Sequence, residues 1–191
     1  LKVLNEVDLI AAEDTRHSGK LLHHYKIKKP LISYHEHNKK AKGEKLIEEL
    51  TRGLDIGLIT DAGMPGISDP GEDIIKLAIE NQIEVKALPG ATASITALIV
   101  SGLPTDRFVF EGFLPPKKGD RVEELGRLKS EYRTIILYEA PHRLLNLLED
   151  MAEILGDRDI SISREISKIH EETFRGTIEE ALNKFGCEKP R

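Results

Sequence analysis

"LITDAGMPGISDPG", residues 58–71, is the stretch on which the reading of this chain turns. It leaves the apolar run "LDIGLI" (54–59) and enters the helical pattern "EDIIKLAIE" (72–80). Five of the eleven positions from Asp61 to Gly71 are Gly or Pro: Gly63, Pro65, Gly66, Pro70 and Gly71. A simple chain reversal takes about two to five residues. Part of this longer loop has a structural purpose: Asp69 is placed to cap the next helix, with Pro70 at its first position and Glu72 completing a capping box. The remainder, "DAGMPGI", has no such purpose. Gly63 and Gly66 let a ligand touch the backbone, Pro65 and Pro70 hold the loop open, and in open α/β sheets ligands bind beyond the carboxyl ends of the strands.

Outward from that loop, short apolar runs alternate with helical patterns. "DLIAAE" (8–13), "PLISYH" (30–35), "DIGLIT" (55–60) and "EVKALP" (84–89) read as strands, with amphipathic segments between them. This alternation predicts a sheet, at least partly parallel, flanked by helices. A second bare loop, "LPGATAS" (88–94), ends the fourth run, and Thr92 is placed to cap the helix after it. Strands "RFVFEGF", "RTIILYEA" and "DISISREI" follow, and Leu144, Leu148, Met151 and Leu155 form one apolar stripe on the helix before the last of these. "HEETFRGTIEEALNKF" reads as one more strand and a helix. The turn-rich "GLPTD" (102–106) divides an N-terminal α/β domain, 1–103, from a C-terminal one, 104–191.

Composition narrows the class. The 191 residues carry a net charge of −5, with 39% hydrophobic and 32% charged residues, as expected of a soluble globular chain. No apolar run approaches the roughly 20 residues of a membrane span, and a cytoplasmic protein is expected. One cysteine, Cys187, excludes an internal disulfide framework and a multi-cysteine zinc site. Basic clusters at "NKKAKGEK" (38–45) and "PPKKGDR" (115–121) read as solvated faces or as local contacts for a polyanion.

Three polar groupings stand where strands end. "AEDTRH" brings Glu13, Asp14, Arg16 and His17 together, either as a helix start capped by Asp14 or Thr15 or as a polar wall able to orient a hydroxyl and accept its proton. "YHEHN" puts His35 and His37 on one face, but no third ligand is designated, so no metal is expected. "YEAPHR" offers Tyr138, Glu139, His142 and Arg143 at a strand-to-helix turn. Neither bare loop is a Walker loop or G-x-G-x-x-G, and phosphoryl transfer is not indicated.

Taken together, "DLIAAEDTRHSGKLL", "LITDAGMPGISDPG", "LPGATASITALIVSGLPTDRFVFEGFLP", "YEAPHRLLNLLEDM" and "REISKIHEETFRG" resemble the bacterial small-subunit ribosomal RNA 2′-O-ribose methyltransferases of the tetrapyrrole methylase superfamily. The resemblance runs in order over essentially the whole chain. It implies two α/β domains with S-adenosylmethionine (SAM) in a cleft between them, held largely by loop backbones. It implies SAM contacts from Asp61, Ala62, Gly63, Met64, Ile67 and Ser68, from Ala91, Thr92 and Ala93, and from Tyr138, Glu139 and Pro141. The implied reaction is methylation of a cytidine ribose in 16S rRNA of the small subunit, by a homodimer.

Within that resemblance, Asp14 or Glu13 is the expected proton acceptor, and Arg16 and His17 are expected to place phosphate or base. Lys39, Lys40, Lys117, Lys118 and Arg143 are the other expected RNA contacts. Methylation of a small tetrapyrrole, and SAM binding without catalysis, are the rival readings; "DAGMP" in place of the porphyrin branch's "GGDP"-like loop opposes the first. The family also has a strand with a "TPIGN"-like loop ahead of "LKVLNEVD" and a strand beyond "CEKPR", so a first and a last strand are expected to be missing here.

Overall fold

A computed structural model describes residues 1–187; the closing "EKPR", where the family's last strand is expected to follow, lies outside the described residues. The chain divides into two compact units, one from Leu1 to Ala91 and one from Thr92 onward.

The first unit runs α1 (Lys2–Glu6), β1 (Leu9–Ala12), α2 (Thr15–His24), β2 (Leu31–Ser33), α3 (Lys39–Thr51), β3 (Ile56–Ile59) and α4 (Glu72–Glu80). Its sheet is parallel in the order β2-β1-β3, with Ile10 opposite Leu31 on one side and Gly57 on the other. Because β1 is central, it has no polar side chain: Ile10, Ala11 and Ala12 are fully buried. Alternation along the strand sends Ile10 and Ala11 to opposite faces. Ile10 packs with Val7, Leu22 and Ile27, and Ala11 with Tyr34, Leu46 and Ile74. Helices therefore cover both faces, as a parallel sheet requires.

The run 84–89, expected as a fourth strand, pairs with no other strand among the described residues. Glu84 and Lys86 pair with each other at 3.1 Å, while Val85 and Leu88 stay exposed. Two charges and a terminal Pro in six residues leave too little apolar surface to anchor a strand by burial.

The second unit runs α5 (Ala93–Ser101), β4 (Phe108–Phe113), α6 (Lys118–Leu128), β5 (Thr134–Tyr138), a 3-10 turn at Pro141–Arg143, α7 (Leu144–Leu155), β6 (Asp159–Arg164), β7 (Glu172–Thr177) and α8 (Ile178–Cys187). β4 and β5 are parallel, with an irregularity between Phe110 and Gly112; β6 and β7 form an antiparallel pair. The core gathers Leu125 of α6, Leu147, Leu148 and Met151 of α7, and Ile178, Ala181 and Phe185 of α8. Of the expected stripe, Leu148 and Met151 are buried, while Leu144 and Leu155 pack at its edge. One ion pair is sealed in beside them. Asp150 takes Arg121 Nε at 2.7 Å and Nη2 at 2.6 Å, and Arg121 Nη1 also donates to the Pro116 carbonyl.

Candidate functional site

In the first unit the candidate site lies at the carboxyl ends of β1 and β3. Glu13 follows β1 directly. Its Oε2 accepts the Thr60 hydroxyl at 2.6 Å and, more distantly, the Asp61 backbone N–H at 3.4 Å. The loop beyond Thr60 is bare because its backbone leaves the ordinary region repeatedly: φ is +78° at Gly63, +83° at Gly66, +59° at Ser68 and +152° at Gly71. Gly71 is packed tightest; a Cβ there would stand 2.8 Å from the Gly66 nitrogen.

That packing corrects the expected capping box. Gly71, not Asp69, precedes α4, and no side chain among the described residues caps the helix. The sharp turn at Gly71 instead leaves the Asp69 carboxyl beside Thr60 and Glu13. Burial, together with the charge of Glu13, pushes the Asp69 carboxyl above the usual carboxylate range.

The two bare loops come together. A methyl group at Gly63 would lie 3.7 Å from the Ala91 carbonyl oxygen, and one at Gly90 would lie 3.8 Å from Met64 Cγ. Next to them a polar cavity of about 410 Å³ is lined by Glu13, His35, His37, Ser68 and Asp69, among others. Sequence reasoning missed Thr60, Asp69 and His35 as members of this group. The signal available was only position: each is a polar residue just past a strand or inside the bare loop. His35 is held by Asn38, whose Oδ1 accepts the His35 N–H at 2.9 Å and whose Nδ2 lies 3.2 Å from His35 Nε2. The His35 Nδ1 is buried without a partner among the described residues.

Asp14 is engaged differently. It caps α2, accepting the Arg16 N–H at 2.8 Å, and its carboxylate also takes Arg16 Nη2 at 2.8 Å. The Arg16 guanidinium holds Asp14 well below the usual carboxylate range, so it is a weak proton acceptor.

In the second unit, Thr92 caps α5 by accepting the Ile95 N–H at 3.2 Å, as the sequence predicts. The Tyr138 hydroxyl accepts the Ser94 N–H at 3.1 Å, and its ring packs edge-on to Phe110. Glu139 has a side chain only 6% exposed. Its Oε1 accepts the Ala140 N–H at 2.7 Å, and Oε2 is buried without a partner among the described residues. Such an unpaired buried acceptor at a strand end is where a ligand's donor fits.

Residues 1–182 match the Tetrapyrrole (Corrin/Porphyrin) Methylases. The chain belongs to this family. It is 52% identical to Ribosomal RNA small subunit methyltransferase I of Synechocystis sp., over 100% of this chain and 69% of that protein. For the proteins of the same name, identity is 47% in Thermotoga maritima (100% and 85% covered) and 52% in Bacillus subtilis (95% and 62%). The chain thus spans between 62% and 85% of the length of these three relatives. Among solved structures, the fold is shared with diphthine synthase at a TM-score of 0.69 and 16% identity, covering 95% of this chain and 76% of that one. It is shared with cobalt precorrin-4 methyltransferase at a TM-score of 0.64 and 16% identity, covering 99% and 83%.

Within this methylase fold, several expected RNA contacts are already engaged. Lys39 bridges Glu36 at 2.7 Å and Asp73 at 2.6 Å, and those carboxylates hold its ammonium above the usual range. Lys118 lies 3.3 Å from buried Asp150. Arg143 donates to the Leu114 carbonyl at 2.8 Å; its Nε is 3.1 Å from Glu139 Oε1, near enough to pair but not aligned for a hydrogen bond. Lys40, Lys117 and His17 are exposed.

Proposed function

We propose that the chain forms the main part of an enzyme that moves a methyl group from SAM to the 2′-hydroxyl of a cytidine ribose in small-subunit 16S rRNA. The observation that carries this reading is the meeting of two side-chain-poor loops, at Gly63 and Ala91, beside the fixed carboxylate of Glu13. Relatives at about half identity named for small-subunit ribosomal RNA methylation support the substrate class.

SAM supplies, when bound, an electrophilic methyl on a sulfonium. The residues present fit it chemically. The exposed backbone of Asp61, Ala62 and Gly63, with Ala91, offers main-chain donors and acceptors without side-chain obstruction, and Met64, Ile67 and Ser68 continue that wall. In the second unit, Thr92, Ala93, Tyr138, Glu139 and Pro141 are the residues proposed for SAM. The orphan Oε2 of Glu139 suits a hydroxyl or ammonium donor.

What remains for the protein is to position a hydroxyl and to take its proton. Glu13 fits that task better than Asp14. Thr60 fixes one of its oxygens, and Oε1 accepts no hydrogen bond among the described residues. Asp14 and Arg16, joined to each other, orient the start of α2. Asp69 stands beside Glu13, its carboxyl pushed upward by burial and by the Glu13 charge.

The test is transfer of labelled methyl from SAM to unmethylated small ribosomal subunits by the full-length protein, with naked RNA and uroporphyrinogen as parallel acceptors. Label at one ribose that resists alkaline cleavage is expected. Label in the tetrapyrrole alone, or none despite SAM binding, overturns the reading.

A further inference from the structure

Between Asp14 and Glu36 the chain has no acidic residue, yet it carries five Lys or Arg and four of the seven histidines, in a protein of net charge −5. The structure sets five of these residues on one face of α2. In α2 the buried residues are Ser18 and Leu22. At about 100° per residue, Arg16, His17, Lys20, His23 and His24 fall within an arc of about 120° centred opposite them. All five are exposed.

The helix then ends in a fixed turn. Lys26 adopts φ +56°, its N–H bonds to the His23 carbonyl at 3.0 Å, and the Ile27 N–H bonds to the Leu22 carbonyl at 2.9 Å while its side chain is buried. Lys26 and Lys28 are held outward on either side of that anchor. Tyr25, 46% exposed and edge-on to His24, adds an aromatic surface. Cations in a last helical turn answer the helix dipole, but that effect fades within the turn and does not extend to Lys20 or Lys28.

On this face Arg16 is held by Asp14, but three lysines stand clear of any carboxylate among the described residues, as Lys40 and Lys117 do in the other basic clusters. Lys39, Lys118 and Arg143 each face a carboxylate. Lys20, Lys26 and Lys28 have no ion pair among the described residues. We propose that this outer face of α2 and its terminal turn is the surface that docks on the phosphate backbone of the RNA. The proposal rests on the RNA reading above, and it extends the expected contacts of Arg16 and His17 to Lys20, Lys26 and Lys28.

The experiment compares full-length wild-type protein, K20Q/K26Q/K28Q and a control, K2Q/K86Q/K129Q, in binding to unmethylated small subunits and to 16S rRNA between 50 and 300 mM salt. Each released phosphate contact contributes a slope of about 0.7–0.9. The triple variant is therefore expected to flatten log K against log salt by about 2 to 3 and to bind about ten-fold or more weakly near 0.15 M salt. SAM affinity and melting temperature should match wild type, and the control should keep the wild-type slope. Equal slopes for wild type and K20Q/K26Q/K28Q overturn the proposal while leaving methyl transfer intact. Loss of binding to anionic lipid vesicles with RNA binding unchanged overturns it in favour of a membrane contact. Wild-type protein that binds neither RNA probe overturns both readings; wild-type binding without methyl transfer overturns only the enzymatic one.

Discussion

Replacing Gly71 by Ala tests the claim that the ligand loop is shaped by backbone geometry. Gly71 is buried, sits at φ +152°, and would bring its new Cβ to 2.8 Å from Gly66 nitrogen, 3.1 Å from Leu58 Cδ2 and 3.3 Å from Gly66 Cα. Two of those three neighbours are main chain, which cannot rotate away. The unfavourable φ costs about 1–3 kcal/mol. Forcing a methyl into a filled space costs about 1–3 kcal/mol more. The sum, about 2–6 kcal/mol, corresponds to a fall in melting temperature of about 4–24 °C for a chain of this length. Because relief comes only by moving Gly66 and its neighbours, SAM affinity should fall as well. Gly126→Ala is the matched comparison: it lies within α6 with nothing inside 4 Å, so the methyl should stabilise by about 0.5–1 kcal/mol. Circular-dichroism melting and calorimetric SAM titration of both variants check this. A Gly71→Ala protein that melts within a degree of wild type and binds SAM equally well refutes the account of the loop.

Glu13→Gln should cut the single-turnover rate of methyl transfer by about 10²-fold or more while leaving RNA and SAM affinities near wild type; Asp14→Asn should reduce it far less, measured by rapid quench with saturating RNA. Asp150→Ala strands the buried Arg121 guanidinium and should cost about 3–5 kcal/mol in denaturant unfolding. Glu131 is held down to about 2 by the Arg133 guanidinium. Its contribution is therefore present above the ordinary carboxylate range and lost as pH falls toward 2. Glu131→Gln should flatten the acid limb of a stability-against-pH curve, read by melting temperature from pH 6 to pH 2.5.

The parallel α/β organisation was legible because burial leaves a periodic imprint: β1 is a continuous apolar run, and α2, α4 and α7 each show a repeating stripe. The cap by Asp14 and the cap by Thr92 were legible for a similar reason, since a helix start takes its hydrogen bonds from residues next to it in sequence. The segment 84–89 misled because β-propensity in a short run is decided by what covers it, and here Val85 and Leu88 stay exposed among the described residues.

The site divides along the same line. Its bare loops could be found in the sequence, because Gly and Pro declare backbone geometry locally, and the order of its motifs pointed to the methylase family. Only the tertiary structure decided which charged groups remain available. Lys39 is paired with Asp73 from across the unit, while Thr60 is brought to Glu13 from 47 positions away. Asp69, expected to cap α4, is instead turned toward Glu13 by the fold at Gly71. Electrostatic pairing depends on distance in space, and a linear sequence fixes that distance only for neighbours on one element.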